Sequence, residues 1–168
     1  MAARLIYEGW TDLMVLQVCR TMRAGDVQEV FAQRPDEDRW ALYRDLASLG
    51  AAHLWFEVAR AETSCNPTAM FGVVQTGPGT GQAHLIGTPA LTLDASRQIA
   101  ARIRDQVIPA MLDAGLHRVE ALSLADYAWA HRFLRSTGAQ CEGIRREIGK
   151  NGEDFASFVW LKSEIKGD

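Results

Sequence analysis

Apolar residues along the chain recur in two rhythms, every second position and every third or fourth, and their alternation lays out the elements. Leu13-Met-Val-Leu-Gln-Val-Cys-Arg20 is an almost continuous apolar run, which predicts a buried first strand. Asp26 is an N-cap residue with Glu29 three positions on, and Val27, Val30 and Phe31 recur at helical spacing, so a helix is expected over 25–34. Pro35 stops it. Asp36 can cap a second helix, in which Trp40, Tyr43, Leu46 and Leu49 return every third residue before Gly50.

From His53 to Arg60 the rhythm is two: Leu54, Phe56 and Val58 share one face, while His53, Trp55 and Glu57 share the other. Turn residues at Cys65-Asn-Pro67 lead into a strand over Ala69 to Gln75, and the loop Thr76-Gly-Pro-Gly-Thr-Gly81 leads into another over Ala83 to Thr88. Connections this short make the three strands an antiparallel meander. Ile99, Ile103, Val107, Ala110 and Met111 then mark a long amphipathic helix from Ser96 to Ala114, with a kink at Pro109 and a stop at Gly115. Val119 to Leu124 is a strand, parallel to the one before the helix because a crossover joins them. A helix follows, capped by Asp126 or Ser123 and running to Thr137. Two last strands, 140–149 and 155–162, flank the turn Asn151-Gly152.

The length of 168 residues suits one domain, 1–168, of the α/β (α+β) class, with helices on both faces of a central, mostly antiparallel sheet. No apolar run approaches the roughly 20 residues that span a bilayer, and the start lacks a signal-peptide core, so a cytoplasmic protein without membrane contact is expected. Cys19, Cys65 and Cys141 are odd in number and far apart, and read as free thiols. No H-E-x-x-H, C-x-x-C or acidic cluster suggests a metal. The net charge of −3 gives no support to a nucleic-acid binder. It is unevenly spread, however: residues 1–96 carry 7 Arg against 11 acids, and 97–150 carry 9 Arg and Lys against 6, so the later part can face an anion. Gly77-Pro-Gly-Thr-Gly81 joins two strands and is a hairpin loop, since a phosphate loop joins a strand to a helix.

The order strand, two helices, three-strand meander, long helix, strand, helix, hairpin resembles the GNAT family of acetyl-CoA-dependent N-acyltransferases over nearly the whole chain. The segment Gly143-Ile-Arg-Arg-Glu-Ile-Gly-Lys-Asn-Gly-Glu-Asp-Phe155 with Phe158-Val-Trp160 is similar to the closing hairpin of small GNAT-like proteins of tailed bacteriophages. The resemblance implies a notch between splayed fourth and fifth strands that holds the pantetheine arm of acetyl-CoA on backbone at Ile86, Gly87 and Thr88. It implies a pyrophosphate site on the next helix N-terminus. The family's loop pattern of a basic or amide residue followed by glycines falls on Thr92-Leu-Asp-Ala-Ser-Arg97, where Thr92, Ala95 and Arg97 stand in for those residues. Thr92, Ala95, Ser96 and Arg97 are therefore the expected phosphate contacts.

Acyl transfer from a thioester to an amine needs a base and a donor for the departing thiolate. Glu57 and His84 are the candidate bases. At the position where the family often carries an acidic Tyr stands Leu134, which cannot donate a proton, so Tyr127 is the substitute acid. The resemblance thus implies an N-acetyltransferase acting on a small-molecule or protein amine. The alternative is a non-catalytic, phage-type or virion-associated protein of the same fold. A homodimer is expected through the last strand if its edge is unpaired.

Overall fold

The computed structural model describes residues 3–165, and the remaining terminal residues of the expected 1–168 domain lie outside that range. The chain begins with a short strand, β1 (Leu5–Glu8), followed by three helices: α1 (Asp12–Arg20), α2 (Ala24–Ala32) and α3 (Arg39–Ser48). A meander follows in β2 (His53–Ala61), β3 (Pro67–Gly77) and β4 (Thr80–Gly87). Next come α4 (Leu93–Arg102), a π-turn over Ile103–Val107, α5 (Ile108–Asp113), β5 (Arg118–Leu124), α6 (Ala128–Ser136), β6 (Gln140–Arg145), β7 (Phe155–Leu161) and α7 (Lys162–Ile165).

The run Leu13 to Arg20, expected as the first strand, is helix α1. Thr11 caps it by accepting from Met14 N, Asp12 sits in the first turn, and the buried residues Val15, Val18, Cys19 and Met22 return every three or four positions. The helical period decides, because the strand alternative would have to bury Leu13, which is 77% exposed. The first strand instead lies upstream, where β1 pairs antiparallel with the end of β2 and Glu8 chelates Arg60. Asp38 rather than Asp36 caps α3.

Seven strands form one sheet in the order β1-β2-β3-β4-β5-β7-β6, antiparallel except for β4 against β5. The last strand, β7, is buried between β5 and β6, so the edge expected there belongs to β6. The loop between β6 and β7 covers nine residues rather than a two-residue turn. Within it the Glu153 carboxylate accepts from Asn151 N, and Lys150 N donates to Ala32 O at the end of α2.

Helices cover both faces. On one, α1 and α3 bury Val15, Val18, Leu42 and Leu46 against Val58, Met70 and Ile86. On the other, α4 and α5 bury Ile99, Val107, Ile108 and Leu112 against Phe71, Val73 and Val119. The long helix is not simply kinked at Pro109. Without an N–H, proline cannot serve the carbonyl four residues back, and the preceding turn widens into the π-turn before helix resumes. Among the described residues no helix is long and apolar enough to cross a membrane.

Candidate functional site

Strands β4 and β5 pair at only three positions, Thr80/Arg118, Gly81/Val119 and Gln82/Glu120, and then diverge. The divergence opens a cleft of about 620 Å³ that passes through the sheet and has an arm over each face. One arm lies beneath α2 and α3, with Glu29, Val30, Leu42 and Leu46 above and His84 in its floor. The other runs under α4 and α6, among Ile103, Val107, Trp129 and Phe133.

Backbone polarity in the gap follows from the β3 to β4 register, which is unbroken from Gly81 to Gly87. In an antiparallel strand successive residues direct their N–H and C=O groups to opposite sides. Thr88 N bonds Thr68 O on the β3 side, so Gly87, and with it Leu85 and Ala83, directs its backbone into the gap. At Gly87 both groups are engaged within the chain: Asp26 Oδ2 accepts from Gly87 N at 2.6 Å, and Gly87 O accepts from Arg23 N at 3.0 Å. Of the three residues expected to offer backbone to a cofactor, Ile86 faces β3. Thr88 spends its N–H and its hydroxyl on Thr68 O and Pro67 O. Ala83 N still serves Glu120 O in the last β4/β5 pair, so the groups left open are the Ala83 carbonyl and the backbone of Leu85.

Across the gap, Glu29 Oε2 accepts from Ser123 Oγ at 2.6 Å and from Leu124 N at 2.9 Å. Two carboxylates one turn apart on α2 therefore grip both diverging strands, Asp26 on β4 and Glu29 on β5. Asp26 also accepts from Arg23 Nε at 2.8 Å and from Tyr127 Oη at 3.0 Å. The Arg23 guanidinium lies 3.5 Å over the Trp129 ring. Burial raises the Asp26 carboxyl despite Arg23 and its hydrogen bonds, and pushes Glu29 up to about 7 against Ser123 and Leu124 N. Burial, followed by the Asp26 charge, also raises Tyr127. Neither Asp126 nor Ser123 caps α6; its first residues follow Tyr127 with no side-chain cap, and Ser123 serves Glu29.

Glu57 and His84 lie on opposite faces. Glu57 is in register with Phe71 and Leu85 on the α4 face, where Arg102 binds its two oxygens at 2.5 and 3.1 Å. His84, in register with Gly72 and Phe56, lies on the α3 face. A bulge between His53 and Trp55 brings His53 round to that face too, 5.6 Å from His84, so His53, Trp55 and Glu57 do not share a side as the alternation implied. His84 Nε2 is buried without a hydrogen-bond partner, and burial, then the neighbouring His53, lowers the ring to about 4. Gly72 makes room for it, since a Cβ there would meet Trp55 O at 2.6 Å and His84 Cε1 at 2.9 Å.

At the start of α4 the cap is Thr92, whose Oγ1 accepts from Ala95 N at 3.3 Å, while Ser96 Oγ donates to Thr92 O at 2.7 Å. The amides of Leu93 and Asp94 have no helical partner by construction. Ala95 and Ser96 are buried, whereas Arg97 is exposed and reaches back to Asp94 at 3.2 Å. The basic excess of the later half is largely met by acids: Arg118 pairs with Glu120 and Glu142, Arg145 with Glu120, and Arg104 with Asp105.

No family model and no curated protein matches the sequence. Solved structures do. Spermidine N-acetyltransferase from Vibrio cholerae, in complex with CoA and spermine, is 14% identical, with 96% of this chain and 98% of that one covered at a TM-score of 0.72. Ribosomal-protein-alanine N-acetyltransferase from Brucella melitensis is 15% identical over 93% of this chain and 99% of that one, at 0.69. A GNAT-family acetyltransferase from Bacillus anthracis is 15% identical over 96% of both, at 0.68. The chain thus has the fold of the GNAT acetyltransferases.

Proposed function

We propose that the chain is an acyl-CoA-dependent N-acyltransferase that works in the through-going cleft, with donor and amine meeting where β4 and β5 part. One observation carries this reading: the gap leaves the Leu85 backbone and the Ala83 carbonyl facing a cleft open on both sides of the sheet. An extended amide chain can pair with those groups as an added strand. The residues fit such a donor there and at the start of α4, where the Leu93 and Asp94 amides and Arg97 would take phosphate. Acetyl-CoA, whose CoA moiety is bound in the structure of the spermidine N-acetyltransferase, would supply an activated acyl group. His84, uncharged with a free Nε2, is the proton acceptor facing the amine side. Glu57, committed to Arg102, and Tyr127, committed to Asp26, hold elements together.

A second reading rests on Asp26. Its carboxylate already holds the Gly87 amide, and Asp94 places a further negative charge at the α4 N-terminus, which favours a non-catalytic protein of this fold, phage-type or virion-associated. Such a partner, or a second copy, would add to the exposed edge β6. Calorimetry with acetyl-CoA separates the two. Binding that weakens about tenfold in Arg97→Glu, one charge-assisted contact, supports the enzyme. No heat at millimolar acetyl-CoA sinks it and leaves the binding protein.

A further inference from the structure

We propose that the α2–α3 arm of the cleft binds a primary amine with an apolar body, its ammonium held by Glu29 and its body lying against Val30, Leu42 and Leu46. The inference rests on the acyltransferase reading for its biological sense, but not for its test, since it concerns the amine alone.

Three observations support it. Glu29 lines the cleft, and among the described residues it makes no ion pair; Arg23, one turn away, is spent on Asp26. Its Oε2 takes both available donors, Ser123 and Leu124 N, which leaves Oε1 without a partner among the described residues. A half-buried carboxylate that has lost part of its hydration and has no counter-ion is destabilised, and a ligand ammonium offsets that loss. Second, the register carries the carboxylate to the point of divergence. Counting three residues beyond Gln82/Glu120 sets Leu85 opposite Ser123, so an amine on Glu29 stands across the gap from the open backbone of Leu85. Third, the arm's wall carries Val30, Leu42, Leu46 and Leu49 beside Gln33 and Arg34, the latter paired with Asp45, and its floor carries His84, whose Nε2 is buried and unpartnered. A neutral imidazole does not repel a cation.

The same geometry selects among amines. With one uncompensated carboxylate in the arm, a single charge on a hydrocarbon is favoured over a polyamine, whose further charges would lie against Leu42 and Leu46 or beside the Arg34 guanidinium. Charge on Glu29 is required, and the groups facing it are Asp26 and Arg23 from α2 and its start, Arg34 beyond its end, Ser123 and Leu124 N from β5, Tyr127 at the start of α6, and His84 from β4. His84 stays neutral until about pH 4, while burial raises Asp26 as well as Glu29, so loss of the transition near 7 in Glu29→Gln is what assigns it to Glu29.

The test uses the free protein with no acyl-CoA, titrated with hexylamine, 1-hexanol and spermidine by NMR and calorimetry. Hexylamine is expected to bind saturably, at least about tenfold tighter than hexanol, and to weaken by a similar factor in Glu29→Gln while hexanol is unchanged. Wild-type protein provides a check that needs no variant: hexylamine affinity falls as the pH drops from 8 through about 7, and hexanol affinity does not. The proposal is overturned by no saturation with hexylamine at about 10 mM, by equal affinity for hexanol, by tighter binding of spermidine, or by a pH-independent hexylamine affinity. Failure of acetyl-CoA to bind would count against the acyltransferase reading and leave these results as they stand.

Discussion

Glu29 and His84 titrate in opposite senses, and the stability of the protein should record both. Glu29 has its carboxyl raised from 4.5 to about 7, so the folded state holds the proton more tightly than the unfolded one, and the stability this provides is lost as pH rises through that window. His84 has its ring lowered from 6.5 to about 4; the unfolded state then binds the proton more tightly, and stability is lost as pH falls through that range. The two oppose each other between about 4.5 and 6.5, so urea midpoints of the wild type should be nearly flat there. Glu29→Gln should tilt the profile toward greater stability at higher pH, His84→Leu the other way, each by up to about 1.4 kcal/mol per pH unit. A parallel shift of all three curves would contradict this. Asp26→Ala tests a different point: it strands Arg23, the Gly87 amide and the Tyr127 hydroxyl together, and a loss of about 3 kcal/mol with an unchanged denaturant slope is expected.

The role of α2 as a clamp is an element-scale property. Asp26 and Glu29 look from the sequence like an N-cap and its capping-box partner. The helix begins two residues earlier, at Ala24, so both carboxylates fall inside it, on the side that faces the parting strands. Gly25 completes the arrangement, because a Cβ there would collide with Tyr127 Oη. Gly→Ala in a helix normally stabilises by about 1 kcal/mol; here Gly25→Ala should instead lower the melting temperature, by the equivalent of roughly 1–3 kcal/mol of overpacking. A rise would show that Tyr127 is free to move. On β2, the bulge at His53 is what defeats simple alternation, since nothing in that run of residues marks where the register slips.

At the scale of the whole molecule, the cleft joins two arms that no single element contains. If donor and amine occupy one arm each, a CoA thioether carrying a hexylamine chain should bind about 10² times tighter than CoA alone, through the high effective concentration of the linked group. Calorimetry with the conjugate, CoA and hexylamine measures this; equal affinity for the conjugate and CoA would mean that the arms are not one site.

The linear pattern determined the class and most of the architecture: the meander, the crossover to β5, the paired last strands and helices on both faces follow from period and turn residues, which are local properties. Its main failure, α1, is a short apolar run where strand and helix periods compete and the Thr11 cap tips the balance. His84, Glu57 and Tyr127 were legible as polar residues near the notch, but their partners were not. Whether a side chain is spent on Arg102 or Asp26, or left with a free nitrogen, depends on residues 45 to 101 positions away. Likewise, only the tertiary structure turned Asp26 and Glu29 from cap to clamp, because burial and the orphaned amides of two diverging strands exist only once the sheet has formed.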